Sequence, residues 1–305
     1  MTSLALPLLR AERKDRVFTG IGLMIGSTLL LTLSNALSKI LVAHYPVGEV
    51  MFFRSSGALA LCCAMLLPTR GLSIVRTRMP GAHVARGLSQ AVSQTLTVAA
   101  LGLLPLASVT AIGFSAPLFA AGVAILFHRE RADAMRCGFL VVGFVGVLVV
   151  THPGADTVQL GALLALGNAV MYGSVTVAVR SMAKTESAGT LLIWQMGVMT
   201  IAHIGLLVFG FHCPQRSDAL LFSILCVTNA GAQFLWTRAL AAAPATVVSP
   251  FYYLMLVWGI GLGFVAFGEV PNVHVVLGAF VVMGSGFVLV LHEARLVRRS
   301  YASST

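Results

Sequence analysis

Apolar runs, each roughly twenty residues long, follow one another along this chain with scarcely a break. They read as ten spans: 18–43, 47–67, 80–101, 104–127, 134–151, 159–182, 187–210, 218–241, 244–267 and 272–292. A segment of that length surrounded by hydrocarbon has no water to bond its backbone, so it must close its own hydrogen bonds as a helix. A transmembrane barrel would show short alternating segments instead, and none are present. Composition agrees: 58% of the 305 residues are hydrophobic, 10% are charged, and mean hydropathy is +0.92, too little polar surface for a soluble domain of this length. The expected fold is an all-α integral membrane protein of ten transmembrane helices.

The formal charge of +10 invites a nucleic-acid reading, but placement removes it. With the N-terminus set in the cytoplasm, the basic residues gather at the inner face. Only Arg216 falls in an outer loop, and Lys39 and Arg54 fall inside spans. This asymmetry is the positive-inside rule. The first charge cluster, Arg10 to Arg16, follows the apolar start "LALPLL", which is the wrong order for a secretory signal peptide. Cys62, Cys63, Cys137, Cys213 and Cys226 form no ligand or disulfide pattern.

The spans repeat. Pro105 and Pro244 are 139 positions apart (244 − 105), and the same offset sets Gln94 on Gln233 and Glu130 on Glu269. In spans 1 and 6 the offset is 141, with Gly26 on Gly167 and Lys39 on Arg180; in spans 5 and 10 it is 140, with Gly146 on Gly286. Five spans per unit is odd, so the second unit enters the membrane from the opposite side. Inverted repeats of this kind recur in carriers, with the site between the halves. The predicted layout is a cytoplasmic segment 1–17, a first repeat 18–151, a second repeat 159–292 and a cytoplasmic tail 293–305.

Polar side chains fall at helical spacing. Thr28, Thr32, Asn35 and Lys39 share a face of span 1; Asn168, Tyr172, Thr176 and Arg180 one of span 6; His83, Gly87, Gln90, Gln94 and Thr97 one of span 3; Asn229, Gln233 and Trp236 one of span 8. The stripes match across the repeat, and Phe114 of span 4 falls on Tyr253 of span 9, beside Tyr252. Such residues avoid lipid. Interhelical hydrogen bonding is the alternative reading. The expectation is a cavity among spans 1, 3, 4, 6, 8 and 9, lined by Thr32, Asn35, Lys39, His83, Gln90, Gln94, Phe114, Asn168, Tyr172, Asn229, Gln233, Trp236, Tyr252 and Tyr253. Lys39 either snorkels to the interface or meets a substrate anion. Arg54, with Glu49 as helper, and Arg86 are expected to have structural or gating roles. Pro117 and Pro250 each remove a backbone donor and are expected to set bends.

No carboxylate sits in mid-membrane, so a proton-relay acid and a cation site are not expected. No Walker A, H-E-x-x-H or G-x-S-x-G sequence occurs, so neither direct ATP drive nor hydrolytic chemistry is indicated. No cofactor, metal site or enzymatic activity is expected.

The segments "SNALSKILVAHYPVGEVMFFRS", "HVARGL", "LPLASVTAIGFSAPLF" and "APATVVSPFYYLMLVWGIGLGFVAFGEVP" resemble the drug/metabolite transporter superfamily in its ten-helix form with two EamA repeats. The resemblance covers nearly the whole chain. It implies a central cavity, carried by position onto Asn35, Lys39, Gln94, Tyr172, Trp236 and Tyr253, in a multi-pass protein of a bacterial inner membrane with both termini cytoplasmic. The "SK…FFR…HxxRG" combination is similar to a subgroup that includes S-adenosylmethionine and riboflavin carriers. Span 1 lacks the first-helix Glu of small multidrug carriers, which argues against proton-driven cation export. The function expected is secondary transport of amino acids or amino-acid-like metabolites by alternating access, with a riboflavin or nucleotide-like cargo as the alternative. The expected partners are a small-molecule substrate and the lipid bilayer, with no nucleic acid, in a monomer or weak homodimer.

Overall fold

The computed structural model describes residues 5–116, 118–119, 134–151, 160–182, 185–242, 248 and 251–302. Among them are ten α-helices: α1 (Ala5–Val42), α2 (Val47–Arg70), α3 (Pro80–Leu101), α4 (Leu106–Gly113), α5 (Ala134–Thr151), α6 (Leu160–Met182), α7 (Ala188–Leu206), α8 (Ala219–Ala242), α9 (Leu254–Phe267) and α10 (Val273–Ala302). Four stretches are long and apolar enough to cross a bilayer on these criteria alone: Phe18–Val42, Val47–Val75, Ala188–Phe209 and Ala219–Ala239. Large side chains such as Val141, Phe144 and Leu148 on α5, Ile201 and Ile204 on α7, and Leu277 and Phe280 on α10 stand exposed. That surface suits lipid contact.

Local chemistry explains several boundaries. The bounds of α3 coincide with the expected span 80–101. Pro80 opens α3, where its missing N–H costs nothing. Ser187 caps α7 by accepting from the Thr190 amide. Helices α1 and α10 run past their apolar spans, to Ala5 and Ala302. Lys, Arg, Glu and Ala are good helix formers in water, so the end of an apolar run marks the membrane boundary and need not end the helix.

The most extensive packing joins α1 with α8, α5 with α10, α3 with α6 and α2 with α7. Helices α1, α9, α4, α6 and α3 also touch in that order, while α2 packs against both α3 and α8, and α7 against α3. Short α4 is the apolar hub. Leu106, Val109, Ala111 and Ile112 are buried against Val147 and Val150 of α5, Ala165 of α6, Leu256 of α9 and Val282 of α10.

The close contacts come in pairs at the offsets read from the sequence. A Cβ at Gly26 would stand 3.3 Å from Leu235, and one at Gly167 would stand 3.2 Å from Leu96. Gly57 admits Cys226 where α2 meets α8, and Gly87 admits Val198 where α3 meets α7. The glycine has changed sides, but the two close approaches are equivalent. Ser27 Oγ donates to the Ala232 carbonyl at 2.8 Å, and Ser93 Oγ to Asn168 Oδ1 at 2.6 Å. Both contacts again join the same pair of positions.

Candidate functional site

Three polar assemblies organise the interior. The first surrounds Arg54, whose side chain is only 2% exposed. Its Nε donates to Asn229 Oδ1 at 3.1 Å, Nη1 to Ser38 Oγ at 3.2 Å and Nη2 to Asn35 Oδ1 at 3.2 Å. Asn229 Nδ2 returns a bond to the Arg54 carbonyl at 3.4 Å. The guanidinium therefore ties α2 to α1 and α8 with neutral acceptors only. Glu49, expected as its helper, instead accepts from the His212 amide at 2.9 Å, and its Oε1 has no hydrogen-bond partner among the described residues. Asn35 and Asn229, expected on a cavity wall, are spent on this clamp. Thr32 likewise turns its hydroxyl back to the Thr28 carbonyl at 2.8 Å.

The second assembly lies where α1 ends. Helix α9 closes on Gly268, which is left-handed (φ 65°), and the following Glu269 amide reaches back to the Gly263 carbonyl at 3.0 Å. This left-handed cap, closed also by the Gly268 amide on the Phe264 carbonyl at 3.0 Å, throws the Glu269 side chain across the helix end. Its Oε1 meets Lys39 Nζ at 2.6 Å, and Oε2 accepts from the Leu106 amide at 2.9 Å, the first turn of α4. Lys39 also donates to the Leu104 carbonyl at 2.6 Å. Lys39, 17% exposed against 19% for Glu269, thus answers an internal carboxylate rather than standing free for an anion.

The third assembly lies at the opposite end, where α3 begins. Arg86 donates through Nη1 to the Leu191 carbonyl at 3.1 Å and through Nη2 to Gln195 Oε1, but its Nε is unpartnered. His83, 1% exposed, packs on Trp194 with ring centroids 5.3 Å apart. Trp194 is itself fixed by donating Nε1 to the Val75 carbonyl at 2.9 Å. Glu186, in the turn before α7, accepts from Thr77 Oγ1 at 2.6 Å and from the Arg78 amide at 3.4 Å. Those two bonds, the hydroxyl first, hold its carboxyl below the usual range. His83 and Gly87 therefore lie on the α3–α7 interface, while Ser93, further along α3, faces α6.

The remaining stripe residues are half-buried: Gln94, Asn168, Tyr172, Gln233, Trp236, Tyr252 and Tyr253. Tyr172 and Tyr252 hydrogen-bond to each other. Phe114, buried, sets its ring edge-to-face with Tyr252 at 6.1 Å and Tyr253 at 5.1 Å, and Trp236 packs in the same cluster as Tyr252. Rings from α6, α8 and the segments that end α4 and open α9 cluster here, and Asn168 is held by Ser93. The Gln94 and Gln233 amides form no side-chain hydrogen bond among the described residues. Gln90 is buried. Pro117, Pro250, Glu130 and the side chains of Thr176 and Arg180 lie outside the described residues.

Ser38, Ser93, Gln195, Glu186 and Glu269 were not picked out from the sequence as partners of Arg54, Asn168, Arg86, His83 and Lys39. One signal was available. Gln195 stands 141 positions after Arg54 (195 − 54), so the offset sets an acceptor for one buried guanidinium where the other arises.

An all-helical bundle with lipid-suited flanks, interior clamps and a half-buried amide and aromatic group defines a multi-pass membrane protein built to handle a small molecule. The chain belongs to the EamA-like transporter family, which it matches twice, over residues 18–152 and 159–291. It is 27% identical over 292 residues to a riboflavin transporter of Rhizobium johnstonii, covering 95% of this chain and 96% of that one. It is 25% identical to an S-adenosylmethionine uptake transporter of Rickettsia conorii, covering 93% and 97%. It is 27% identical to a pseudopaline exporter of Pseudomonas aeruginosa, covering 88% and 95%. A protein of known crystal structure superposes on 94% of this chain and 99% of its own with a TM-score of 0.60 at 20% identity, which shows a shared fold.

Proposed function

We propose that this small-molecule transporter carries amino acids or amino-acid-like metabolites, S-adenosylmethionine among them, by alternating access between two inverted five-helix repeats. The two matches to the family, the reciprocal glycine contacts and the paired serine bonds support the repeat reading. Residues 18–151 and 159–292 are the two units, and the end carrying Lys39 and Glu269 is the outer one. Both termini lie in the cytoplasm, and the protein sits in a bacterial inner membrane.

One observation carries the cargo reading. The half-buried group at Gln94, Gln233, Tyr172, Trp236, Tyr252 and Tyr253 offers amides, hydroxyls and ring faces, while Arg54 and Lys39 are engaged internally. Such a lining adds no net charge, and it suits a compact cargo with its own donors, acceptors and flat or apolar surface. The riboflavin transporter among the relatives favours a second reading, a riboflavin or nucleotide-like cargo stacked on the same rings.

The test is uptake by liposomes that contain the purified protein. The panel holds labelled amino acids, S-adenosylmethionine and riboflavin, each with and without ion gradients. Saturable flux of an amino-acid-like compound is expected, with at least a tenfold fall in Gln94→Ala or Trp236→Ala at unchanged folding, the order of loss that follows about 1.4 kcal/mol of binding. Flux of riboflavin alone selects the second reading. No flux of anything removes both.

A further inference from the structure

Among the described residues, His83 is the ionisable side chain buried with no hydrogen bond at either ring nitrogen. His203 makes the contrast. It is equally buried, but Ser55 Oγ stands 3.0 Å from its Nδ1 and Thr95 Oγ1 3.3 Å from its Nε2. Each ring nitrogen of His203 thus has a hydroxyl within reach. His83 has no such pair. Its charged neighbours are Glu186, in the α6–α7 turn, whose Oε1 stands 3.9 Å from Nε2, and Arg86, one turn further along α3. Trp194 of α7 covers the ring face. Arg86 is drawn away toward Leu191 and Gln195 on α7, so the nearest charge with freedom to answer His83 is the carboxylate.

At 3.9 Å the His83–Glu186 contact is too long for a hydrogen bond. A neutral ring leaves a donor and an acceptor unmade in a buried site. An imidazolium turns Nε2–H toward a carboxylate that needs an approach of roughly 1 Å to close a charge-assisted bond. Glu186 is held ionised by Thr77 and Arg78, so the charge it offers is constant while that of His83 is not.

We propose that His83 is a proton-binding site, and that taking up a proton draws the start of α3 onto the α6–α7 turn and closes this end of the bundle. The contact joins a residue of the first family match to one of the second, so it acts across the boundary that a carrier must open and shut. The proton site stands on the geometry alone; its effect on flux rests on the transport reading above.

Trp194 supplies a direct readout, because a protonated imidazole against an indole quenches its fluorescence. The full-length protein in nanodiscs is titrated between roughly pH 5 and 8, the range in which histidine changes charge. The intact protein is expected to lose emission as pH falls, with one midpoint. His83→Gln and Trp194→Phe abolish that step, and His203→Gln leaves it in place. Glu186→Gln moves the midpoint to lower pH, since removing a carboxylate disfavours the imidazolium. A step that survives His83→Gln, or a midpoint that Glu186→Gln leaves unmoved or raises, overturns the proposal. If His83→Gln does not fold, the Glu186→Gln midpoint decides. In liposomes, the dependence of flux on internal pH should vanish in Glu186→Gln. A quench that obeys these rules in a protein that moves no cargo leaves the proton site standing and removes the transport reading.

Discussion

The two ends of the bundle solve the same problem differently. At one, Lys39 and Glu269 stand 2.6 Å apart and both carboxylate oxygens are used, one on the ammonium and one on the first turn of α4. At the other, His83 and Glu186 stop at 3.9 Å, and the ring has no hydrogen bond among the described residues. Each contact joins the first family-matched segment to the second. The difference lies in the cation. A lysine offers three donors on a flexible stem, whereas an imidazole offers two fixed ring nitrogens and changes its charge near neutral pH. In this structure one end is closed by an ion pair and the other stops short of one.

That comparison presumes a rigid middle, so the largest effect is expected there. Asn229→Leu strips one acceptor from the buried Arg54 guanidinium and should lower stability by about 1.5–3 kcal/mol, the range for hydrogen bonds to charged groups. A thermal melt in nanodiscs reads it. If the His83 step also moves, the ends are not independent and the comparison breaks. Next comes Glu269→Ala, which removes the ion pair and the α4 contact together. A loss of about 1–2 kcal/mol is expected, and Lys39→Met in that background should recover part of it by removing the orphaned charge. An unchanged melting temperature in Glu269→Ala would show that this end is not held by the pair. The smallest effect belongs to Glu186. Its carboxyl is held below the ordinary value of 4.5, first by the Thr77 hydroxyl. Its contribution is therefore fully present above pH 4.5 and fades as pH falls through the lower folded value. Melting temperature across that acid window should fall less steeply in Glu186→Gln than in the intact protein. An identical slope would put the acid sensitivity elsewhere.

How much of this was written in the sequence differs by level. The helices were legible because apolar length and flanking charge decide them, and α3 matches to the residue. The offset that sets Gly26 on Gly167 meets two similar close approaches, to Leu235 and Leu96, as the proposed repeat requires. Periodicity failed where it says that residues share a face but not what the face meets. Asn35 and Asn229 share stripes with Lys39 and Gln233, yet both turn to Arg54, which sits on a helix with no stripe of its own. Partners such as Lys39 and Glu269, 230 positions apart (269 − 39), meet only because the fold brings α1, α4 and α9 together.

The Arg54 clamp has an order in time as well as in space. Asn35 and Ser38 precede Arg54 by 19 and 16 residues, while Asn229 follows it by 175. A lone arginine at membrane depth costs roughly 2.5–3.5 kcal/mol on an insertion scale. Because two of its three acceptors are already synthesised, the α1–α2 hairpin can enter the bilayer carrying most of the solvation that its own charge requires. At about 5–20 residues per second, the third arrives on the order of 10–35 s later. Through that interval the nascent first half holds an unfilled guanidinium bond, a vacancy shaped for α8 before α8 exists.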